Sequence, residues 1–383
     1  MGSVSVRCIT VFVADFQSAS SRLRVLQYVS MLRQDGYHVR VCRTRPSKYL
    51  MRPRWLPRYR WVRLGYGICG FALIVTQRTF QVCAYVTSSD VIFLQKDLLF
   101  RTRIDLLERL IFRLARMSGT RVVFDVDDAI YLGTSVKPLA SARAKVHRIA
   151  AGASIVLAGS APIVNEVRTV TSQVVYAPTC LVVGPRPQRS YQVSQDGPCL
   201  AWTGTAVNLR HLQALAGPLG EFLAAVGGRT VVVTRLADLP REIPVSTLNM
   251  TFVEWSRDAE VQALRQADIG LAPLEDDGFA RARCGGKLLA YFEAALPVVA
   301  SPVGAQAVMV RHGYNGLVAI SPQEWVAGLL ELSASASLRE RLGMAGRGYL
   351  ETHLSAQRMY PQWRDWVIGV PAHTLSSSVA TCW

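Results

Sequence analysis

Short apolar runs alternate with longer amphipathic segments along most of the chain, and this pattern predicts alternating strands and helices. In the first half, runs rich in β-branched residues predict strands at 9–14, 38–43, 90–95, 121–125, 154–158 and 173–176. Segments with apolar residues at helical spacing separate them, at 21–34, 98–117, 142–151 and after Pro162. Short apolar strands joined by helices are typical of a parallel sheet covered on both faces.

The alternation stops at 181–198, where prolines and glutamines replace the periodic pattern, and it restarts at Cys199. The second half predicts strands at 199–203, 230–234, 249–253, 269–272 and 298–301, and helices from Asn208, Ser256, Gly286 and Pro322. We therefore predict an α/β protein with two Rossmann-like domains facing each other across a cleft. Their predicted bounds are 1–182 and 199–352, with a linker at 183–198 and a C-terminal helix and tail at 353–383. In such sheets, ligands bind at the carboxyl ends of the strands.

The formal charge of +16 is unevenly distributed. Between Gly36 and Ser89 there is no acidic residue, but there are ten basic ones: Arg40, Arg43, Arg45, Lys48, Arg52, Arg54, Arg58, Arg60, Arg63 and Arg78. Such a patch attracts polyanions. Within it, the basic and aromatic residues of 46–63 favour docking to an anionic membrane surface, and a basic loop over the first sheet is the alternative. No nucleic-acid-binding signature accompanies these residues, so no nucleic-acid partner is expected.

The eight cysteines are dispersed, without a CxxC pair or a Cys/His spacing that suits a metal. They indicate a reduced, cytoplasmic protein without a metal site. The N-terminal apolar run reads as a first strand rather than a signal peptide. The most apolar stretch, 64–75, is shorter than the roughly 20 residues of a spanning helix, so no membrane span is predicted. The expected location is the cytoplasm, with a peripheral contact to the inner face of the membrane.

The densest cluster of charged residues and glycines lies at 267–304. There a predicted strand ends at Pro273, and a polar loop with Arg281 and Arg283 leads to a helix that begins near Gly285 and Gly286. Lys287 lies in its first turn. Glycines allow a ligand to approach the backbone closely, and the free N–H groups of a helix start attract anions. The cluster predicts a diphosphate site, and a surface loop with scattered charges is the alternative.

This segment resembles the donor-site motif of GT-B glycosyltransferases, in particular the family-4-like group 1 enzymes. Other matching elements are ASSRLR at 19–24, VVFDVDDAIY at 122–131, Ala177-Pro178-Thr179, the Trp202–Gly204 segment, and closing helices around 338–348 and 363–366. The resemblance covers nearly the whole chain except about 46–88. It implies retaining transfer of a hexose-type sugar from a nucleotide diphosphate to a glycan or lipid-linked acceptor, without a metal or a bound cofactor.

The resemblance also suggests roles for individual residues. Lys287 and Arg283 fall on the basic positions of the motif, where they would stabilise charge on the leaving diphosphate. The remaining predicted donor-binding residues are Gly204, Thr205, Arg210, Arg281, Gly285, Gly286 and Glu293. Many members carry two glutamates seven residues apart, and those positions are Ala282 and Ala290 here. Glu293, one helical turn beyond Ala290, is predicted to replace the ribose-binding carboxylate, with a surface ion pair to a neighbouring arginine as the alternative.

Acceptor residues are expected in the first domain. Asp125, Asp127 and Asp128 follow a predicted strand and would orient or deprotonate the acceptor hydroxyl, with Asp128 as the catalytic group. A helix cap at Asp128 is the structural alternative. Ser20, Ser21 and Arg22 open the first helix, where the serines would cap it and all three would hold an anion. Because the paired glutamates are missing, a catalytically inactive protein that binds sugar nucleotides or polyanions on the same scaffold is the alternative function.

Overall fold

The computed structural model describes residues 6–13, 15–16, 18–44, 60–99, 104–132, 140–239 and 249–370. The chain divides into two compact units. The first consists of Met1–Cys180 with Ala282–Cys284 and Met359–Trp383, and the second of Leu181–Arg281 with Gly285–Arg358. The predicted boundary at 182 therefore lies two residues from the observed one.

The first unit is built on a parallel six-stranded sheet. Its strands are β1 Cys8–Phe12, β2 His38–Cys42, β3 Val91–Gln95, β4 Arg121–Val126, β5 Ile155–Ala158 and β6 Val174–Tyr176, in the order β2-β1-β3-β4-β5-β6. Its helices are α1 Ala19–Arg24, α2 Val29–Gln34, α3 Arg60–Tyr85, α4 Leu106–Ser118, α5 Ala140–Gly152 and α6 Ala161–Arg168, with 3-10 turns at Leu26–Tyr28 and Ile130–Leu132. Every residue of β3 is buried, as expected for a strand covered on both faces.

The second unit repeats this architecture. Its strands are β7 Cys199–Thr203, β8 Arg229–Thr234, β9 Met250–Glu254, β10 Ile269–Ala272, β11 Val298–Ala300 and β12 Leu317–Val318, in the order β12-β11-β10-β7-β8-β9. Its helices are α7 Leu209–Gln213, α8 Ala216–Val226, α9 Arg257–Gln266, α10 Gly278–Arg281, α11 Gly286–Glu293, α12 Gln306–Met309, α13 Pro322–Ala334 and α14 Ala336–His353, with 3-10 turns at Ala206–Asn208 and Leu236–Asp238. The predicted α/β class with two parallel sheets is confirmed.

The second unit's core lies between its sheet and the helices on one face. Strand residues such as Trp202 and Leu271 pack there with Phe222 of α8 and Leu329 of α13, and all four are fully buried. The predicted linker contains no helix or named strand, and it packs on this unit. Arg189 donates to the carbonyls of Ala267 and Ala294, which fixes it there.

The last helix, α15 at Ala356–Ile368, lies within the predicted C-terminal helix and tail at 353–383. From Met359 onward, its residues are grouped with the first unit. The Trp363 ring stacks on Tyr28 with centroids 4.4 Å apart, and the Tyr360 hydroxyl donates to Asp35 at 2.7 Å. The chain therefore returns to the first unit at its end.

The largest departure from the sequence prediction is α3. Sequence periodicity predicted no helix there, whereas α3 has 26 residues. Three glycines and two β-branched residues lower the helix propensity of its first half, so the sequence pattern did not indicate a helix there. Of the residues that the structure describes, one helical segment, Gly65–Tyr85, is long and apolar enough to cross a bilayer. The stretch of 64–75 thus belongs to a longer apolar helix than expected.

Candidate functional site

In the first unit, the strand order changes direction between β1 and β3. Ligands of open α/β sheets bind outside the carboxyl ends of the strands at such a point. There, short hydrogen bonds join the last residue of β3 to α1, the helix that follows β1. Ser21 donates to the Gln95 side chain at 2.6 Å, and Gln95 donates to the Ser20 hydroxyl at 2.5 Å. Ser20 is half-buried and Ser21 is buried, so the predicted anion-holding pair faces a protein partner.

The predicted helix cap moves by two residues. α1 begins at Ala19, and the Ser18 hydroxyl accepts the N–H of Ser21. Ser20 and Ser21 are therefore inside the first turn, and Ser18 is the N-cap. Arg22 lies in the same turn and is half-buried.

Asp125 differs from its predicted role. Its side chain is fully buried and forms an ion pair with Arg24, at 2.5 Å between Oδ1 and Nη2. Arg24 also donates to the Ala177 carbonyl. Burial alone would lower the pKa of Arg24, but the Asp125 carboxylate raises it above its ordinary value. Because no part of the Asp125 side chain is exposed, it does not have the predicted acceptor contact. Its pair with Arg24 is structural and holds α1, β4 and the segment after β6 together.

Asp127 and Asp128 share one cation. The Lys96 ammonium lies 3.1 Å from Asp127 Oδ1 and also bonds the Asp128 carboxylate. Burial opposes the charged ammonium, but the two carboxylates raise the pKa of Lys96. The Asp128 side chain is 38% exposed and that of Asp127 only 10%, so Asp128 is the carboxylate that a ligand can reach.

Sequence reasoning missed both Gln95 and Lys96. Lys96 has a positive φ of 60°, a strained conformation for a residue with a side chain. Its N–H donates to the Asp125 carbonyl at 2.9 Å, which holds this geometry. Backbone strain of this kind is concentrated at functional sites. The available signal was their position, because both residues come at the end of a predicted strand.

In the second unit, the strand order changes direction between β7 and β10. After β7, Gly204 lies against the buried ring of Trp202, and a Cβ there would come within 2.8 Å of that ring. The Lys287 ammonium lies 4.3 Å from the centroid of the same indole, a cation–π contact. Thr205 is exposed and accepts from Asn208 at 2.9 Å. The predicted donor residues Gly204 and Lys287 therefore share one neighbour, Trp202.

At the start of α11, the backbone has the geometry of an anion-binding helix terminus. Gly285 is its N-cap in the left-handed conformation (φ 68°), and no side chain caps the helix. The N–H groups of a first turn favour an anion. Tyr291 anchors this helix to the sheet, since its buried hydroxyl donates to the Leu271 carbonyl at 2.9 Å and accepts the Thr203 N–H at 3.3 Å. Tyr291 thus joins α11 to both strands at the change of direction.

Two of the predicted phosphate-binding arginines form ion pairs with carboxylates of the acidic loop before α10. Arg210 donates to Asp277 at 3.1 Å, and Arg281 bonds Asp276 with two contacts at 2.7 and 3.0 Å. Both arginines and both carboxylates are substantially exposed. Surface pairs of this kind contribute little stability and exchange readily with solvent ions.

The two missing glutamate positions differ in burial. Ala282 is fully buried, whereas Ala290 is half-buried on α11. Arg283, between α10 and α11, is half-buried. Glu293 bonds Arg257 of α9 at 2.6 Å. The structure therefore gives Glu293 the ion pair that was the alternative to a ribose contact, and we assign it to packing between α9 and α11.

No cluster of three or more metal-binding side chains occurs among the described residues. The seven cysteines described are all free.

Comparison with known proteins agrees with this geometry. Residues 220–335 match the family model described as Glycosyl transferases group 1. No protein with a curated function matches the sequence. The match confirms the resemblance to group 1 glycosyltransferases over this part of the chain.

Solved structures share the fold at low sequence identity. Sucrose-phosphate synthase from Thermosynechococcus elongatus superposes with a TM-score of 0.67 at 14% identity, covering 94% of this chain and 98% of that one. HepE from Anabaena, solved with UDP and glucose, gives 0.62 at 10% identity with the same coverage. The lipopolysaccharide outer core galactosyltransferase WaaB gives 0.58 at 11% identity, covering 95% and 99%. The chain therefore has the GT-B fold over nearly its whole length.

Proposed function

We propose that this protein is a retaining, metal-independent glycosyltransferase that moves a hexose from a nucleotide diphosphate sugar to a glycan or lipid-linked acceptor. The observation that carries the proposal is the second unit's arrangement of Gly204, Trp202, Lys287 and the uncapped start of α11 at the change in strand order. UDP-sugars are the first donors to test, because HepE was solved with UDP-glucose.

In the proposed reaction, the bond between the sugar and the diphosphate breaks while positive charge develops on the sugar ring. Negative charge grows on the leaving diphosphate at the same time. Lys287, Arg283 and the N–H groups of the α11 start would stabilise that charge, because groups fixed before the reaction need no reorganisation. Arg210 and Arg281 would leave Asp277 and Asp276 for the phosphates, where a guanidinium forms stronger paired hydrogen bonds.

The first unit would supply the acceptor contacts. Asp128 is the exposed carboxylate of its site, and Lys96 holds it in place. Because a bonded ammonium already stabilises the negative charge of Asp128, we assign it to orienting the acceptor hydroxyl rather than to removing its proton. Asp127 would position Lys96, and Gln95 would position α1.

The alternative is a protein that binds sugar nucleotides or polyanions without transfer. Its specific support is the pair of alanines at 282 and 290, of which Ala282 is fully buried and leaves no room for a longer side chain. The basic-aromatic segment 46–63 was its other support. Residues 46–59 of it lie outside the described part of the chain, so the membrane contact through this segment stays a prediction, as does the cytoplasmic location.

A thermal-shift screen against UDP-, GDP- and dTDP-sugars tests donor binding, since a ligand that binds the folded state raises the unfolding temperature. Release of the nucleotide diphosphate with an added glycan or lipid-linked acceptor then tests transfer. A shift accompanied by release supports the enzyme. A thermal shift without nucleotide release for any acceptor would support the binding protein. If there is no thermal shift and no release, both candidate functions are contradicted.

A further inference from the structure

The N-terminal part of α3, residues 61–77, is an apolar helix surface that the described protein covers only in part. From Trp61 to Gln77, no described residue is buried. Trp61 is 79% exposed, Ile68 60% and Leu73 48%. A helix that is apolar on several sides is normally buried in a protein core or in a membrane. Such an exposed apolar surface is unusual for a protein that is surrounded only by water.

The C-terminal part of the same helix, from Arg78 onward, is anchored to the sheet. Val82 of α3 and Val86, which directly follows the helix, are fully buried. The buried Arg78 donates to the carbonyl of Val13, which follows β1, and to that of Cys42, which ends β2. The apolar stripe at Ile68, Phe71 and Val75 continues the buried stripe of Val82 and Val86 at helical spacing. One helix thus has a protein-bound end and an exposed end.

Charge identifies what the exposed end would contact. The chain has ten basic residues and no acidic one between Gly36 and Ser89. α3 carries no charged residue from Leu64 to Gln77, and Arg60 and Arg63 lie at its start. An apolar stretch flanked by basic and aromatic residues is complementary to a bilayer with anionic lipids. A soluble protein partner would not require that combination.

The connections of α3 decide how it would enter the bilayer. Both β2, before it, and β3, after it, belong to one sheet. If α3 crossed the bilayer once, the chain between Cys42 and Arg60 would have to cross back, and it carries Arg43, Arg45, Lys48, Arg52, Arg54 and Arg58. Charged side chains are strongly disfavoured in the hydrocarbon core. A single crossing is therefore excluded, and the helix would stay in one leaflet.

We propose that residues 61–77 of α3 form a monotopic membrane anchor, which embeds in one leaflet of an anionic bilayer. At 1.5 Å per residue, this segment is about 25 Å long, which suits a helix lying in the interface. Through Arg78, the anchor holds the bilayer surface at a fixed place relative to the carboxyl ends of β1 and β2. This goes beyond the proposed transfer reaction, because it assigns the membrane contact to a helix outside the family resemblance.

The test is flotation of the purified full chain with phosphatidylcholine vesicles that contain either no anionic lipid or about one third phosphatidylglycerol. We expect binding to the anionic vesicles to be about tenfold stronger and to weaken partly with salt, since both charge and apolar burial contribute. The double variant Ile68→Glu/Phe71→Glu should lose binding by about tenfold or more. Ile320→Glu is the matched control, because Ile320 is 76% exposed in the second unit.

Light scattering and the UDP-induced thermal shift are measured on the same samples. An unchanged shift in Ile68→Glu/Phe71→Glu shows that the variant is folded, and it separates the anchor from the proposed reaction. Equal vesicle binding by wild type and this variant would overturn the proposal. So would a wild-type dimer that binds no vesicles and becomes a monomer in the variant, since α3 would then be an interface between two copies.

Discussion

The Arg24–Asp125 pair in the first unit and the Arg281–Asp276 pair in the second have the same chemistry in opposite surroundings. The side chains of the first pair are 2% and 0% exposed, and those of the second are 62% and 57% exposed. A buried pair that loses one partner leaves a charge without compensation, whereas an exposed pair is replaced by water and salt. The comparison separates ion pairs that fix the fold from those that can be exchanged for a ligand's phosphates.

The largest expected effect is on stability. Asp125→Asn should lower the free energy of unfolding by about 3–5 kcal/mol, because Arg24 would stay buried without its counter-charge. The matched substitution Asp276→Asn should cost less than about 1 kcal/mol. Denaturant unfolding of both variants measures this. Similar losses for the two variants would contradict the distinction.

The second prediction concerns the exposed carboxylate of the first unit. Asp128→Asn should slow transfer by about 10²-fold, in the range for a group that orients or exchanges a reacting proton. It should leave UDP affinity unchanged, because the proposed donor contacts other than Arg283 lie in the second unit. Turnover and calorimetry measure the two quantities. A loss of UDP affinity would place Asp128 on the donor, and loss of folding would make it a structural residue.

The third prediction concerns the exposed Arg281–Asp276 pair, whose two partners should change UDP affinity in opposite directions when they are substituted. Arg281→Ala should weaken UDP binding about three- to tenfold, since it removes a phosphate partner. Asp276→Asn should strengthen binding by a few-fold, because Arg281 would no longer be held by a competing carboxylate. Calorimetry at low and high salt gives both values. If the two variants shift affinity in the same direction, the exchange of partners does not occur.

The smallest effect is expected at Glu293. Since its carboxylate already bonds Arg257, Glu293→Gln should change UDP affinity by less than about twofold and stability by less than about 1 kcal/mol. A loss of 1.5–3 kcal/mol in binding, the size of a charge-assisted hydrogen bond to a ribose hydroxyl, would restore the ribose contact predicted from the sequence.

The strands and the two-sheet architecture were predictable because short β-branched runs between helical segments follow directly from backbone geometry. Individual contacts were not. Asp125 and Asp128 lie three residues apart in the sequence, yet one is sealed against Arg24 and the other is accessible. Which carboxylate finds an arginine depends on a partner about a hundred residues away, and local pattern carries no such information.

The helix α3 shows the converse limit. Its glycines and β-branched residues argue against a helix in water, and many of its exposed positions are apolar, which weakens the contrast between its two faces. Lys96 was missed for a third reason, because its strained backbone is held by a hydrogen bond to a neighbouring strand. Sequence periodicity cannot predict features that depend on tertiary contacts or on an environment other than water.

Lys287, at the start of α11 and over Trp202, is proposed to stabilise charge on a leaving nucleotide diphosphate. The most direct measurement is turnover of UDP-glucose, or of the donor that the thermal-shift screen selects, by Lys287→Ala beside the control Arg265→Ala, an exposed arginine on α9. Lys287→Ala should reduce turnover by about 10²–10³-fold, as Arg283→Ala should, while Arg265→Ala should keep it. Turnover of Lys287→Ala within about twofold of wild type would contradict the account, because the transition-state charge could not then depend on Lys287.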